Sequence, residues 1–196
     1  MGRTIPSFRQ LLEIEKLGWS DFKKSLPTKK DKQAFDEIFE SAKLYTSYLS
    51  NAVNPIVFES VVMGALFHNY KALLEVGKEN DEVNEDIITN ELKLLNENKP
   101  HGKILFDRTC KKWQGLIDAM HMEDRQILLK MILEICNYNE YCVMVTNSGD
   151  SESCITYFFF LTAMLKQQKL IDKISKNHGI ETSINKTLVD FMPRMN

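Results

Sequence analysis

From Phe8 the apolar residues fall at Phe8, Leu12, Trp19, Phe22 and Leu26, with Leu11 beside them. That is the period of about 3.6 expected of an amphipathic helix. Pro27 ends the run, and the loop "PTKKD" leads into a second helix whose predicted stripe is Ala34, Phe35, Ile38, Phe39, Ala42, Tyr45 and Leu49. Asn54 then stands as an N-cap with Pro55 at the first helical position, where the missing N–H of proline has no intrahelical partner to lose. The third predicted helix turns Phe58, Val61, Val62, Ala65, Leu66, Leu73 and Val76 inward.

After Gly77 the chain becomes acidic and Asn-rich, "KENDEVNEDIITNELKLLNENKPHGK", with a short helical patch around Ile88, Leu92 and Leu95, and it reads as a linker closed by Pro100 and Gly102. Beyond it the pattern begins again. One helix runs through Phe106, Cys110, Trp113, Leu116 and Met120, a second through Leu128, Met131, Ile135 and Tyr138, and a third from about Ser151 to Lys173. The tail beyond them places Ile184, Leu188 and Phe191 on one face of a short helix.

The two halves can be laid on each other. With Trp19 on Trp113, Phe22 falls on Leu116 and Leu26 on Met120; a one-residue slide then sets "DKQAF" (31–35) on "DRQIL" (124–128). Asp31, Gln33, Tyr45, Tyr48 and Asn54 meet identical residues in this register, so "YTSY" (45–48) falls on "YNEY" (138–141). An extra five residues in the second copy set "ALFHNYKALL" (65–74) on "AMLKQQKLID" (163–172), whereas the ungapped alternative keeps Glu59 and Ser60 over Glu152 and Ser153. The sequence therefore predicts an all-α fold: two tandem three-helix units packed as a pseudo-twofold six-helix bundle. Residues 1–76 form the first unit, 77–103 the acidic linker, 104–176 the second unit and 177–196 the tail.

Composition agrees with a globular chain: 196 residues, 43% hydrophobic and 27% charged, with only eight glycines and five prolines. The most apolar run, "CITYFFFLTAML", is shorter than the roughly 20 residues needed to span a bilayer, so no membrane association is expected. No secretory signal is legible at the N-terminus and a cytoplasmic location is the expectation. Cys110, Cys136, Cys142 and Cys154 lack metal-ligand spacing and read as reduced, buried thiols.

The opening "MGRTIPSFR", Trp19 followed by "DFKKSL", "AFDEIFESAKLY" and "FESVVMGALFHNYKALLE" together resemble a group of small uncharacterised archaeal proteins that open with Met-Gly-Arg-Thr-x-Pro-Ser/Thr-aromatic-Arg. The resemblance covers residues 1–76. It implies an archaeal cytoplasmic origin and carries no catalytic residues.

The formal charge of −2 excludes the strongly basic balance typical of nucleic-acid binders, yet residues 1–33 carry eight Lys or Arg against four acids. Arg3, Arg9, Lys23, Lys24, Lys29, Lys30 and Lys32 are thus the candidate phosphate or partner contacts, helped by free N–H groups where the second helix starts near Asp31. Glu15 interrupts the first stripe at the place Thr109 takes in the second copy, and Arg9 or Lys43 is its expected partner. His68 beside Glu59 and Glu75 raises a di-iron site, but the chain has no Glu-x-x-His, and no metal, cofactor or catalytic constellation is assigned. "YFFF" (157–160) sends aromatic rings to every side of its helix, and the contact between the repeats is the expected place for them. These features point to a non-enzymatic interaction or adapter protein with a protein partner or a homo-oligomeric state. The alternative is a nucleic-acid-binding accessory protein using the basic N-terminal end; an enzyme with a pocket between the repeats comes third.

Overall fold

The computed structural model describes residues 6–52, 56–78, 100–137 and 151–177, and within them the chain is all-helical, without a strand. Nine helices stand among the described residues. They are α1 (Phe8–Gly18), α2 (Ser20–Ser25), α3 (Lys29–Leu44), α4 (Thr46–Leu49), α5 (Val57–Lys78), α6 (Pro100–Lys112), α7 (Gln114–Ala119), α8 (Met122–Cys136) and α9 (Glu152–Asn177).

Local chemistry sets the ends. Ser7 caps α1: its hydroxyl accepts from the Gln10 N–H at 3.3 Å, and the Gln10 side chain accepts from the Ser7 N–H at 2.8 Å. The Pro-Ser-aromatic-Arg portion of the opening motif is therefore a helix start. Thr28 and Asp31 form the same reciprocal box on α3. Leu26, held before Pro27, is extended (φ −62°, ψ 135°), as the proline ring demands of the residue preceding it.

The periodicity predicts unbroken helices where the structure has breaks at Trp19, Tyr45 and Trp113. All three residues sit in the bridge region, with φ from −92° to −106° and ψ from 9° to 18°. At Trp19 and Tyr45 the N–H bonds back three residues instead of four, to Lys16 and Ala42, which tightens the turn and bends the chain. An apolar stripe carries straight across such a bend, so spacing alone does not reveal it. Trp19 and Trp113 are each followed by a six-residue helix and then by an extended residue, Leu26 or Met120.

Helix α5 is the centre of the packing. It lies against α1 and α3 on one side and against α8 and α9 on the other. Gly64 brings it close to α3, because a β-carbon there would stand 3.2 Å from the Ala42 Cα. Two-sided burial explains why Met63, Phe67 and Tyr70 are buried along with the predicted Val61, Ala65 and Leu66. The core is continuous from Leu12, Phe39 and Ala42 through α5 to Trp113, Leu128, Ile132 and Phe159. At Gly115, in α7, the chain touches the end of α4: the Asn51 carbonyl oxygen occupies the space a β-carbon would need.

Polar ties cross the same region. Gln167 Nε2 donates to the Leu66 carbonyl at 2.8 Å in a buried setting, and Tyr70 Oη donates to Glu134 Oε1 at 2.8 Å. Asp124 accepts from Lys71 Nζ at 2.8 Å and from Tyr48 Oη at 3.3 Å. Tyr45 Oη lies 3.2 Å from His68 Nδ1. The two tyrosine hydroxyls thus anchor α3 and α4 to α5 and α8. His68, half-buried, serves this contact.

Arg3, the Asn54–Pro55 cap, the linker between 79 and 99, Tyr138, Tyr141, Cys142, Asn147 and the tail from 178 lie outside the described residues. Pro100–Lys103, read from sequence as the linker's end, is the first turn of α6.

Candidate functional site

The basic N-terminal end is the place to begin, because the sequence singles it out. Three of its six lysines, Lys16, Lys23 and Lys24, are engaged. Lys23 Nζ pairs with Asp36 at 2.6 Å, Lys24 with Asp21 at 2.8 Å, and Lys16 with both Asp36 (3.3 Å) and Glu40 (3.0 Å). Lys43 reaches Glu13 at 2.7 Å and Glu40 at 2.9 Å. The pairs of Lys16 and Lys23 with Asp36, Lys16 with Glu40 and Lys43 with Glu13 join the first two helices to α3, while Lys24–Asp21 and Lys43–Glu40 lie within single helices; together they offset part of the charge that the sequence count suggests.

Lys29 and Lys30 are exposed and Lys32 half-buried, all in the first turn of α3. Arg9 is exposed elsewhere. It lines a groove of about 970 Å³ with Glu37, Ser41, Lys43 and His68, next to the C-terminal half of α3. At 1.5 Å rise per residue, the groove's lining on α3 begins at Ala34, about 6 Å along the helix from Lys30, and runs on to Leu44. None of Lys29, Lys30 and Lys32 lines the groove that Arg9 lines. The expected N–H donors are also taken in part, since the Asp31 N–H donates to Thr28 Oγ1 at 3.1 Å.

Glu15 has a different partner from those expected. Its carboxylate accepts from Trp19 Nε1 at 2.9 Å, while Lys43 is committed to Glu13 and Glu40. The i, i+4 spacing of Glu15 and Trp19 is the signal that finds this bond.

A second surface stands out on α9. Its inner residues Ile155, Phe159, Phe160 and Ala163 are buried, whereas Tyr157, Leu161, Met164 and Leu165 are 47% to 56% exposed, and Ile171 continues the exposed line at 39%. Their spacings of four, three, one and six residues place them on one side of the helix over about four turns, with the exposed Gln168 between Leu165 and Ile171. The "YFFF" rings divide accordingly. Phe159 and Phe160 enter the core, Phe158 packs at its margin and Tyr157 faces outward.

A third feature is polar and buried. Glu59 is 4% exposed and accepts from Lys112 Nζ at 2.7 Å; the same ammonium donates to Thr156 Oγ1 at 2.6 Å. Nothing in the local sequence announces this pair, whose members are 53 residues apart. Burial pushes the Cys110 thiol up to about 12, with the Asp107 charge adding to the effect. Among the described residues no group of three or more His, Cys, Asp or Glu is placed to hold a metal ion, and no helix is long and apolar enough to cross a membrane.

A family model described as "Domain of unknown function (DUF8156)" matches residues 1–102. No curated protein and no solved structure matches the chain.

Proposed function

We propose that this chain, which belongs to the DUF8156 family, is a non-enzymatic helical interaction protein that meets a protein partner through the outer face of α9. The observation that carries the reading is the line Tyr157, Leu161, Met164, Leu165 and Ile171, apolar and exposed over successive turns. Isolated exposed apolar residues need no explanation, but a contiguous line of them on one helix face is characteristic of contact surfaces.

The proposed duplication supports it. In the register that lays 65–74 on 163–172, Leu66 and Phe67 fall on Met164 and Leu165. The α5 residues are buried and the α9 residues are exposed. On this reading the third helix of each unit is made to be covered on two sides, and α9 takes its second cover from a partner. The paired breaks at Trp19 and Trp113, each with its six-residue helix and extended exit, favour the same two-unit origin.

The nucleic-acid reading draws on Lys29, Lys30 and Lys32, exposed or half-buried at one turn. It has less support, because Lys23 and Lys24 are paired and the groove that Arg9 lines takes in none of these three lysines.

A photo-crosslinking amino acid at position 161, compared with one at position 30, tests the interaction reading in cells of the source organism. The expected result is a discrete protein adduct at 161 that Leu165→Glu abolishes, its mass separating a second copy from another protein. No adduct, or equal adducts at both positions, overturns the proposal.

A further inference from the structure

The groove that Arg9 lines has a counterpart in the second half of the chain. In the registers that set 31–54 on 124–147 and 65–74 on 163–172, its residues Ile38, Ser41, Ala65, His68 and Asn69 fall on Met131, Glu134, Ala163, Lys166 and Gln167. Those counterparts all line one pocket, at α8 and α9. The two surfaces differ in what covers them. Helix α5 lies on the second, where Tyr70 joins the lining. Among the described residues, every residue lining the first belongs to the first half, and Arg9, Ile38, Leu44 and Asn69 are exposed there.

The covering face is repeated as well. Glu59, Leu66 and Tyr70 are three α5 positions that bond to the second half: Glu59 to Lys112 of α6 at 2.7 Å, the Leu66 carbonyl to Gln167 of α9 at 2.8 Å, and Tyr70 to Glu134 of α8 at 2.8 Å. The offset that sets 65–74 on 163–172, carried along the helix, sets these three on Tyr157, Met164 and Gln168. All three are exposed. Helix α9 thus turns outward the face that α5 turns inward, and the α3–α5 groove is the open version of the surface that receives it.

We infer that the outer face of α9 docks in the α3–α5 groove of a second copy of this chain, repeating between molecules the contact that α5 makes on α8 and α9 within one. This rests on the reading of that face as a contact surface and commits its partner to a second copy. The pairs carried over stay compatible. Tyr70 with Glu134 becomes Gln168 of one copy with Ser41 of the other, two side chains that can still hydrogen-bond. Gln167 on the Leu66 carbonyl becomes Asn69 on the Met164 carbonyl, a carboxamide in both. With Trp19 on Trp113, Lys112 falls on Gly18, so Glu59 with Lys112 becomes Tyr157 over Gly18, where an added β-carbon meets nothing within 4 Å. Face and groove are different surfaces, so the contact is heterologous. Copies add head to tail, into a ring or an open chain.

Sedimentation velocity of the full chain over a concentration series tests this. The parent chain should grow past the dimer. Leu161→Glu on the face and Ile38→Glu in the groove should each abolish that growth without changing the circular dichroism, since both residues are exposed; Asn69→Lys is a second groove variant at an exposed position. Mixed, Leu161→Glu and Ile38→Glu keep one intact groove and one intact face between them. The mixture should therefore give a dimer and nothing larger. A parent chain that stays monomeric at millimolar concentration overturns the inference, as does a mixture that stays monomeric. Growth that Leu161→Glu blocks and both groove variants leave untouched also overturns it, since α9 would then pair with something other than the groove. The adduct at position 161 separates the two readings: one formed with a different protein overturns the second copy alone, and no adduct overturns the contact face itself.

Discussion

The Asn51 carbonyl oxygen lies where a β-carbon of residue 115 would stand. Glycine is thus required where α4 ends against α7, and the constraint is one of backbone against backbone. In an ordinary helix Gly→Ala stabilises by up to about 1 kcal/mol. At Gly115 the sign reverses, because overpacking costs typically 1–3 kcal/mol and a carbonyl cannot rotate away as a side chain can. Gly115→Ala should therefore lower the urea midpoint. Gly18→Ala, where an added β-carbon meets nothing within 4 Å, should leave it unchanged or raise it.

The buried pair of Glu59 and Lys112 makes a second prediction. Removing one member of a buried pair leaves an uncompensated charge and costs roughly 3–5 kcal/mol. Lys112→Met should approach that loss. Glu59→Gln keeps an acceptor for the Lys112 ammonium, and the charge it leaves behind is the better solvated one, 19% exposed against 6% for Glu59, so it should cost less. Equal, small effects in chemical denaturation would show that this pair is screened by water.

Acid should loosen the join between the first helices and α3. Asp36 is held below its ordinary value of 3.8, chiefly by the hydrogen bond from Lys23 with Lys16 adding to it. Glu40 is held below 4.5, chiefly by Lys43 and then Lys16. The unfolded chain takes up these protons first, so the contribution is complete above the ordinary values and is lost as pH falls through the depressed ones. The denaturation midpoint should fall between about pH 5 and about pH 3, and Asp36→Asn with Glu40→Gln should flatten that limb while lowering the neutral plateau.

Cys110 should be slow to alkylate. With its thiol pushed up to about 12, almost none is thiolate at neutral pH, and thiolate is the reactive form. Iodoacetamide at about pH 8 should spare Cys110 in the folded chain and modify it in denaturant, as read by peptide mass analysis.

A nucleic-acid titration separates the two readings of the basic end. If only Lys29, Lys30 and Lys32 meet phosphates, log K should fall with log salt at a slope no steeper than about −3. Binding in fluorescence anisotropy with a slope near that value, removed by Lys29→Glu with Lys30→Glu, would favour the nucleic-acid alternative, and no binding at low salt would exclude it.

Much of the helical pattern was legible because burial on one face writes a period of about 3.6 into the chain. Leu12, Phe39, Ala42 and Leu49 are buried where the stripes put them, as are Leu128, Met131 and Ile135. Phe22, Ile38 and Val76, also assigned inward, are exposed. Periodicity gives a face, and it does not say how far along the helix a neighbour extends to cover that face. Helix α5 defeats the one-stripe reading for the opposite reason, since both sides are covered. The breaks at Trp19, Tyr45 and Trp113 leave the apolar spacing intact and so leave no mark on it. Glu59 with Lys112, Tyr48 with Asp124 and Gly115 with Asn51 are tertiary pairings between distant positions. Their sequence signals are single residues of ordinary type.

The Gln167 amide on the Leu66 carbonyl has a mechanical consequence. Apolar ridges sliding in apolar grooves exchange one set of contacts for a similar set, so packing alone would let α9 creep along α5 at little cost. A buried amide finds its acceptor at one position only, and a shift of one residue strands it. It acts as a detent, leaving small displacements of the two longest described helices elastic and making larger ones abrupt. Load applied to the outer face of α9 would then pass into α5 as through a rigid lever.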